Sequence, residues 1–261
     1  MSELDMLYEE KDHVGVITLN RPEAMNALTY ESYRLLEDYV RNSTARALVI
    51  TGSGRAFCSG DDVKQILGST APAPTEFRDR SKATGGLTPA ADALLHTNIP
   101  VIAAINGPAV GWGMELALMA DIRVASEKAK FGELFVLRGL CCDAPGLGRL
   151  ASLVGRERAA ELLFTGDVID ARTAQAIGLV SRVEPAESFF EVAMGIARKI
   201  AGNPPLAVQA LKEGLRRTVE PDWRDTGRWA IEQITRLRQT EDSKEGVRSF
   251  LEKRAAVYVG R

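Results

Sequence analysis

Chemistry first suggests itself where one carboxylate sits in an otherwise apolar stretch. Glu115 lies within Met114–Ala120 (MELALMA), a run with the composition of a buried helix. Burying a charge unpaired is costly, so such a group is hydrogen-bonded, ion-paired or shifted toward its neutral form. Just before it, Gly111 and Gly113 flank Trp112 and leave bare backbone N–H groups where the helix begins. Free amides and the helix dipole favour negative charge there. A donor nest beside a buried acid therefore suits a reaction that develops an oxyanion. A structural glycine turn with a carboxylate satisfied in the core accounts for the same residues equally well.

A second loop has a similar build. Cys58–Val63 (CSGDDV) follows the apolar run Ala47–Ile50, as Gly111–Gly113 follows Val101–Ile105. Each loop can aim a backbone N–H at one point. Two such donors on one thioester carbonyl polarise it and stabilise its enolate. Metal chemistry has less to work with. Cys58, Cys141 and Cys142 have neither disulfide-framework nor metal-ligand spacing, and His13 and His96 are the only imidazoles. Gly146–Ala151 fits a dinucleotide-binding glycine pattern but does not follow a strand. Cys142 has no identifiable histidine partner and reads as an inert thiol.

The elements that must hold these residues are legible from apolar spacing. Val14–Leu19, Ala47–Ile50, Val101–Ile105, Ile122–Ala125 and Val180–Val183 read as strands, the central ones buried on both faces. Thr29–Arg41 and Arg156–Phe164 read as helices, and Ala144–Val154 as helical toward its end. From about Glu187 the strands stop, and Phe189–Ala201, Pro205–Arg217, Asp222–Gln239 and Asp242–Arg254 read as helices. Residues 68–90, rich in Gly, Ala, Pro, Ser and Thr, read as a loop with part of it a short helix. This is an α/β core, residues 1–200, followed by a helical segment, 201–261. The 261 residues suffice for one large core plus an appendage, and a formal net charge of −2 argues against broad nucleic-acid binding. No apolar run is long enough to span a bilayer, and the acidic start MSELDMLYEE lacks a signal-peptide pattern, so a soluble cytoplasmic protein is expected.

Five segments, in order over nearly the whole chain, resemble the enoyl-CoA hydratase/isomerase (crotonase) family: LNRPEAMNAL (19–28), GRAFCSGDDV (54–63), AAINGPAVGWGMELALMADIRVAS (103–126), AKFGE (129–133) and SFLEKRAAVYVGR (249–261). The resemblance implies a spiral of ββα units with a helical C-terminal segment that covers the site and serves oligomerisation, as a homotrimer or dimer of trimers. It implies an acyl-CoA thioester ligand and no separate cofactor, coenzyme A being part of the substrate. By motif position the backbone N–H groups of Asp61 and Trp112 would form the oxyanion hole. Ala24, Cys58 and Val63 would line the coenzyme A channel, and Lys253 resembles a basic residue that approaches the coenzyme phosphates. A solvated helix charge is the alternative for Lys253.

The chain also departs from the family pattern. Hydratases of the family hold one water between two glutamates. Glu115 takes the first position, but Phe135 stands at the second, and a phenyl ring accepts no proton. Glu133 is close in sequence, yet two residues away on a strand it shares a face without sharing a place. Asp143 falls where isomerase, dienoyl-CoA isomerase and dehalogenase branches carry a base or nucleophile, although on spacing alone Asp-Ala-Pro reads as a helix N-cap. Trp112 replaces a common glycine, and its indole is placed to trim the acyl pocket. Asp61 puts a carboxylate on an oxyanion donor, harmless only if its side chain turns outward. The expected function is double-bond isomerisation of an enoyl-CoA with Asp143 as proton shuttle and Glu115 as a second acid/base or orienting group. The alternatives are hydration by Glu115 with or without Asp143, and an inactive acyl-CoA-binding protein.

Overall fold

The apolar runs become the middle of a parallel sheet. The computed structural model describes residues 4–67 and 71–261. Strands β1 (Met6–Lys11), β2 (Val14–Leu19), β3 (Ala47–Gly52), β4 (Val101–Ile105), β6 (Ile122–Ser126) and β9 (Arg182–Glu184) form a six-stranded sheet in the order β1-β2-β3-β4-β6-β9. All neighbours are parallel except β1, which pairs antiparallel with β2. Successive side chains alternate between two apolar layers, as strand geometry requires. Leu48, Ile50, Val101, Ala103 and Ile105 enter the main core. Ala47, Val49, Ile102 and Ala104 face the other way, onto Ala193, Ala197 and Ala201 of α8 (Phe189–Ala201). Those three alanines recur every fourth residue on one face of that helix, and their small side chains allow close approach.

A second sheet, β5 (Ala109–Val110), β7 (Lys130–Gly132) and β8 (Ile169–Asp170), stands beside the first. Its strands of two or three residues carry too little pattern to be read from spacing, and the reading above missed them. It also missed β1, whose alternate residues are mostly exposed. The last strand starts two residues later and ends one residue later than expected, at Arg182–Glu184.

Helix α1 (Tyr30–Asn42) starts from a capping box in which the Thr29 side chain accepts from Ser32 N–H and the Ser32 side chain accepts from Thr29 N–H. In the segment expected as loop, residues 68–70 lie outside the described residues. The rest supplies α2 (Thr75–Ala83) and leads into α3 (Pro89–His96). The apolar stretch around Glu115 is α4 (Trp112–Met119), buried at every position. Then come α5 (Ala144–Val154), α6 (Arg156–Thr165) and α7 (Ala171–Ala176), and after α8 the helices α9 (Pro205–Val219), α10 (Trp223–Leu237) and α11 (Glu241–Glu252). Among the described residues no helix is long and apolar enough to cross a membrane.

Charged groups fix α2 and α10 over the sheet's end. Buried Glu37 on α1 takes Arg41 at 2.7 Å and also Arg80 of α2. Buried Asp92 on α3 takes Arg41 at 3.0 Å, Arg224 of α10 at 3.0 Å and His96 at 3.1 Å. Burial opposes its ionisation, but hydrogen bonds from His96, Arg224 and Arg41 prevail and hold the Asp92 carboxyl well below the usual carboxylate range. A carboxyl held low stabilises the fold above its ordinary pKa, and that contribution is lost as pH falls. Asp92→Asn should therefore lower the unfolding free energy by about 2–3 kcal/mol at pH 7. The deficit should shrink below about pH 4, where the unfolded carboxyl is protonated. Denaturant titrations of both proteins across this range check it.

Candidate active site

Two loops are stitched together at the ends of β3 and β4. Phe57 and Cys58 N–H both donate to Pro108 O, at 3.1 and 3.0 Å, and Val110 N–H donates to Cys58 O at 3.0 Å. Close contact is obligatory here. A Cβ on Gly113 would stand 2.1 Å from Cys58 O, and one on Gly60 would stand 3.2 Å from Trp112 N. Gly60, at φ +92, and Gly111, at φ +54, take the positive dihedrals of the two turns. The backbone strain of the second turn therefore falls on Gly111, and Trp112 keeps a helical backbone that a side chain tolerates.

This arrangement leaves two amides free. Asp61 bridges Leu28 through bonds made by its neighbours, Leu28 N–H to Gly60 O and Asp62 N–H to Leu28 O, both 2.8 Å. Its own N–H has no acceptor among the described residues. Trp112 N–H is the first amide of α4 and is unpartnered by helix geometry.

Both residues line a cavity of about 740 Å³, together with Asp143 and Phe135. Its apolar wall includes Tyr30, Ile66, Phe77 and Ile231, so α2 and α10 each contribute to its lining. The Trp112 indole packs edge-on against Tyr33, with centroids 4.7 Å apart, and trims the chamber. The Asp61 side chain does not turn outward, so the condition for a harmless carboxylate on this donor is not met. It faces the cavity and accepts a 2.5 Å hydrogen bond from Tyr33 Oη.

Asp143 occupies the N-cap position of α5, yet its side chain makes no capping hydrogen bond. Glu115 does that work instead. Its Oε1 accepts from Asp143 N–H at 3.0 Å and its Oε2 from Gly146 N–H at 2.8 Å. Glu115 is wholly buried and is not among the cavity-lining residues. Its two oxygens thus face α5 and not the cavity. The Asp143 carboxyl is left facing the chamber. Burial, reinforced by the Asp61 carboxylate, pushes it up to about 7, against the opposing pull of the Trp112 side chain and the Arg238 charge.

A fourth acid belongs to this cluster. Glu133 is buried and neither of its oxygens has a hydrogen-bond partner among the described residues. Burial and the Asp143 charge push it far up; burial, followed by the Glu133 and Asp143 charges, likewise raises Glu115. Glu133 does not take the place of Phe135, which lines the cavity while Glu133 does not, and the two do not lie on one strand, since β7 ends at Gly132. Glu133 follows the end of β7, and the packing of β7 on β5 brings it in. Tyr33 was also missed as a site residue, because its partner Asp61 lies 28 residues away and no local spacing signals the pair.

The coenzyme-channel residues fare differently. Cys58 is fully buried and outside the cavity lining, and its backbone joins the two loops. Ala24 and Val63 are part-buried beside those loops and outside the cavity lining. Lys253 is exposed at the end of α11, and the structure does not bring it to the cavity.

Comparisons with known proteins agree with this architecture. The enoyl-CoA hydratase/isomerase family model matches residues 9–261. A probable enoyl-CoA hydratase of Rhizobium meliloti is 37% identical over 100% of both chains. The carnitinyl-CoA hydratase structure from Mycobacterium avium superposes with a TM-score of 0.88 at 32% identity, covering 100% of both chains. The structure of a monofunctional enoyl-CoA isomerase from M. smegmatis gives 0.68 at 29% identity, covering 84% of this chain and 95% of that one.

Two measurements probe this geometry. Gly60→Ala adds a Cβ at positive φ against the Trp112 amide, so turnover of an acyl-CoA substrate should fall by about 10²–10³-fold, the cost of one lost oxyanion donor. Asp143, raised from 3.8 to about 7, favours the fold when protonated, and that support is lost as pH rises through about 7. Asp143→Asn stays neutral throughout. It should match the parent in stability near about pH 3, where the carboxyl is protonated in both folded and unfolded states, and exceed it by roughly 1–2 kcal/mol at pH 8, less than the full shift because the side chain is part-exposed. Chemical denaturation at the two pH values checks this.

Proposed function

The chain belongs to the enoyl-CoA hydratase/isomerase family, and from that premise we propose that it moves the double bond of an enoyl-CoA thioester into conjugation with the carbonyl, with Asp143 carrying the proton. One observation carries this reading. The Asp143 carboxyl faces the chamber free of capping duty, while Glu115 is engaged behind it with the α5 amides.

In a 3-enoyl-CoA the thioester oxygen sits against the N–H groups of Asp61 and Trp112. The Asp143 carboxylate takes a proton from C2, and the electron pair moves onto the thioester oxygen as an enolate. The two amides stabilise that charge where it develops. The enolate collapses, the double bond moves to C2–C3, and protonated Asp143 returns the proton at C4. A pKa near 7 serves both halves, since the group must give up its proton as readily as it takes one. Asp61 and Asp143 share the chamber; burial raises Asp61, the Tyr33 hydrogen bond and the Arg238 charge oppose that rise, and the charge of Asp61 raises its neighbour. The reaction uses no cofactor beyond the coenzyme A of the substrate.

Hydration is the second reading, favoured by the hydratase names of the relatives. It would need Asp143 to activate a water, because Phe135 supplies no base and Glu115 is turned away. Incubation with a 3-enoyl-CoA and, separately, a 2-enoyl-CoA separates the two. Isomerisation should dominate, kcat/KM should fall as pH drops below about 7, and Asp143→Asn should lower it by at least about 10³-fold. Rapid formation of a hydroxyacyl-CoA from the 2-enoyl substrate, unchanged by Asp143→Asn, would refute the assignment.

A further inference from the structure

The chamber holds more positive charge than its two catalytic-side carboxylates require. Arg78, Lys82, Arg224, Arg228 and Arg238 line it, against Asp61, Asp143 and Glu232. Most of these cations are engaged. Arg224 is paired with Asp92 at 3.0 Å, Arg228 with Asp225 at 2.8 Å, and Arg78 donates to the Thr75 hydroxyl at 3.3 Å. The side chains of Lys82 and Arg238 have no hydrogen-bond or ion-pair partner among the described residues, and of the two it is Arg238 whose charge reaches the acids of the site. It follows α10 directly, and its charge acts on Tyr30, Asp61 and Asp143 across the cavity.

Its position decides what it can bind. The phosphates of a coenzyme A ester stand a whole pantetheine arm away from the thioester carbonyl. A cation sharing the chamber with the proton-carrying Asp143 therefore meets the acyl group. Tyr30, Phe77, Ile231 and Ile234 line the same chamber and offer an apolar wall for a hydrocarbon stem. A guanidinium presents planar paired donors that match a carboxylate. An anionic acyl group entering unaided would be repelled by Asp61 and Asp143.

We infer that Arg238 is a specificity-determining residue that receives a carboxylate on the distal end of the acyl group, so that the preferred substrate is a carboxyacyl-CoA with a short hydrocarbon stem. This rests on the acyl-CoA reading of the chamber, and not on which way the double bond moves.

Binding of unreactive ligands tests it apart from turnover. Dissociation constants of adipoyl-CoA and hexanoyl-CoA, which share a six-carbon chain and the whole coenzyme, are compared by calorimetry for the parent protein, Arg238→Gln and Arg236→Gln. Adipoyl-CoA should bind the parent at least about tenfold more tightly, as expected for a charge-assisted pair. That ratio should collapse toward one in Arg238→Gln and persist in Arg236→Gln, whose site lies outside the cavity lining. Equal affinity for the two ligands in the parent would overturn the inference, as would a loss in Arg238→Gln that is the same for both, the mark of a contact to the coenzyme. A preserved ratio in a protein that fails to isomerise would refute only the reaction.

Discussion

A carboxylate that water cannot reach holds the site together. Glu115 lies on a helix buried at every position, and its two oxygens are satisfied by amides at the first turn of α5. That pairing satisfies otherwise orphaned helix donors and compensates a buried acid at once. It also joins α4, which supplies the Trp112 amide, to α5, which supplies Asp143. Removing it would leave two amides without partners and Asp143 free to cap its own helix, as its sequence position invites.

The rest of the chamber follows from that link. The stitched loops hold the Asp61 and Trp112 amides together because only glycine fits at 60 and 113. Tyr33 fixes the Asp61 carboxyl, and the field of that carboxyl helps set the proton affinity of Asp143. The arginine bridges to Glu37 and Asp92 then hold α2 and α10 as part of the apolar wall. Backbone, carboxyl pair and wall thus depend on contacts between segments far apart in the chain.

This is why the sequence disclosed some parts and hid others. Long, strongly patterned elements were legible: the two-sided strands Ala47–Ile50 and Val101–Ile105, and the helix Phe189–Ala201, which the structure reproduces end to end. The two glycine loops and the isolated Glu115 were visible as unusual local chemistry. The resemblance to a known family, rather than spacing, drew attention to Asp143. Side-chain direction was hidden. Nothing in the local sequence tells that Glu115 faces α5, that Asp61 turns inward to Tyr33, that Cys58 is sealed off, or that Glu133 joins the acid cluster. Each depends on packing between elements that periodicity does not relate.

A crystal structure with an acyl-CoA bound tests the central claim most directly, namely that two free amides and the uncapped Asp143 act on one thioester. The account predicts the thioester oxygen at roughly 2.7–3.1 Å from both the Asp61 and Trp112 nitrogens, with an Asp143 oxygen against the C2–C4 edge of the acyl group. A thioester bound away from those amides, or an Asp143 side chain turned back to cap α5, would contradict it.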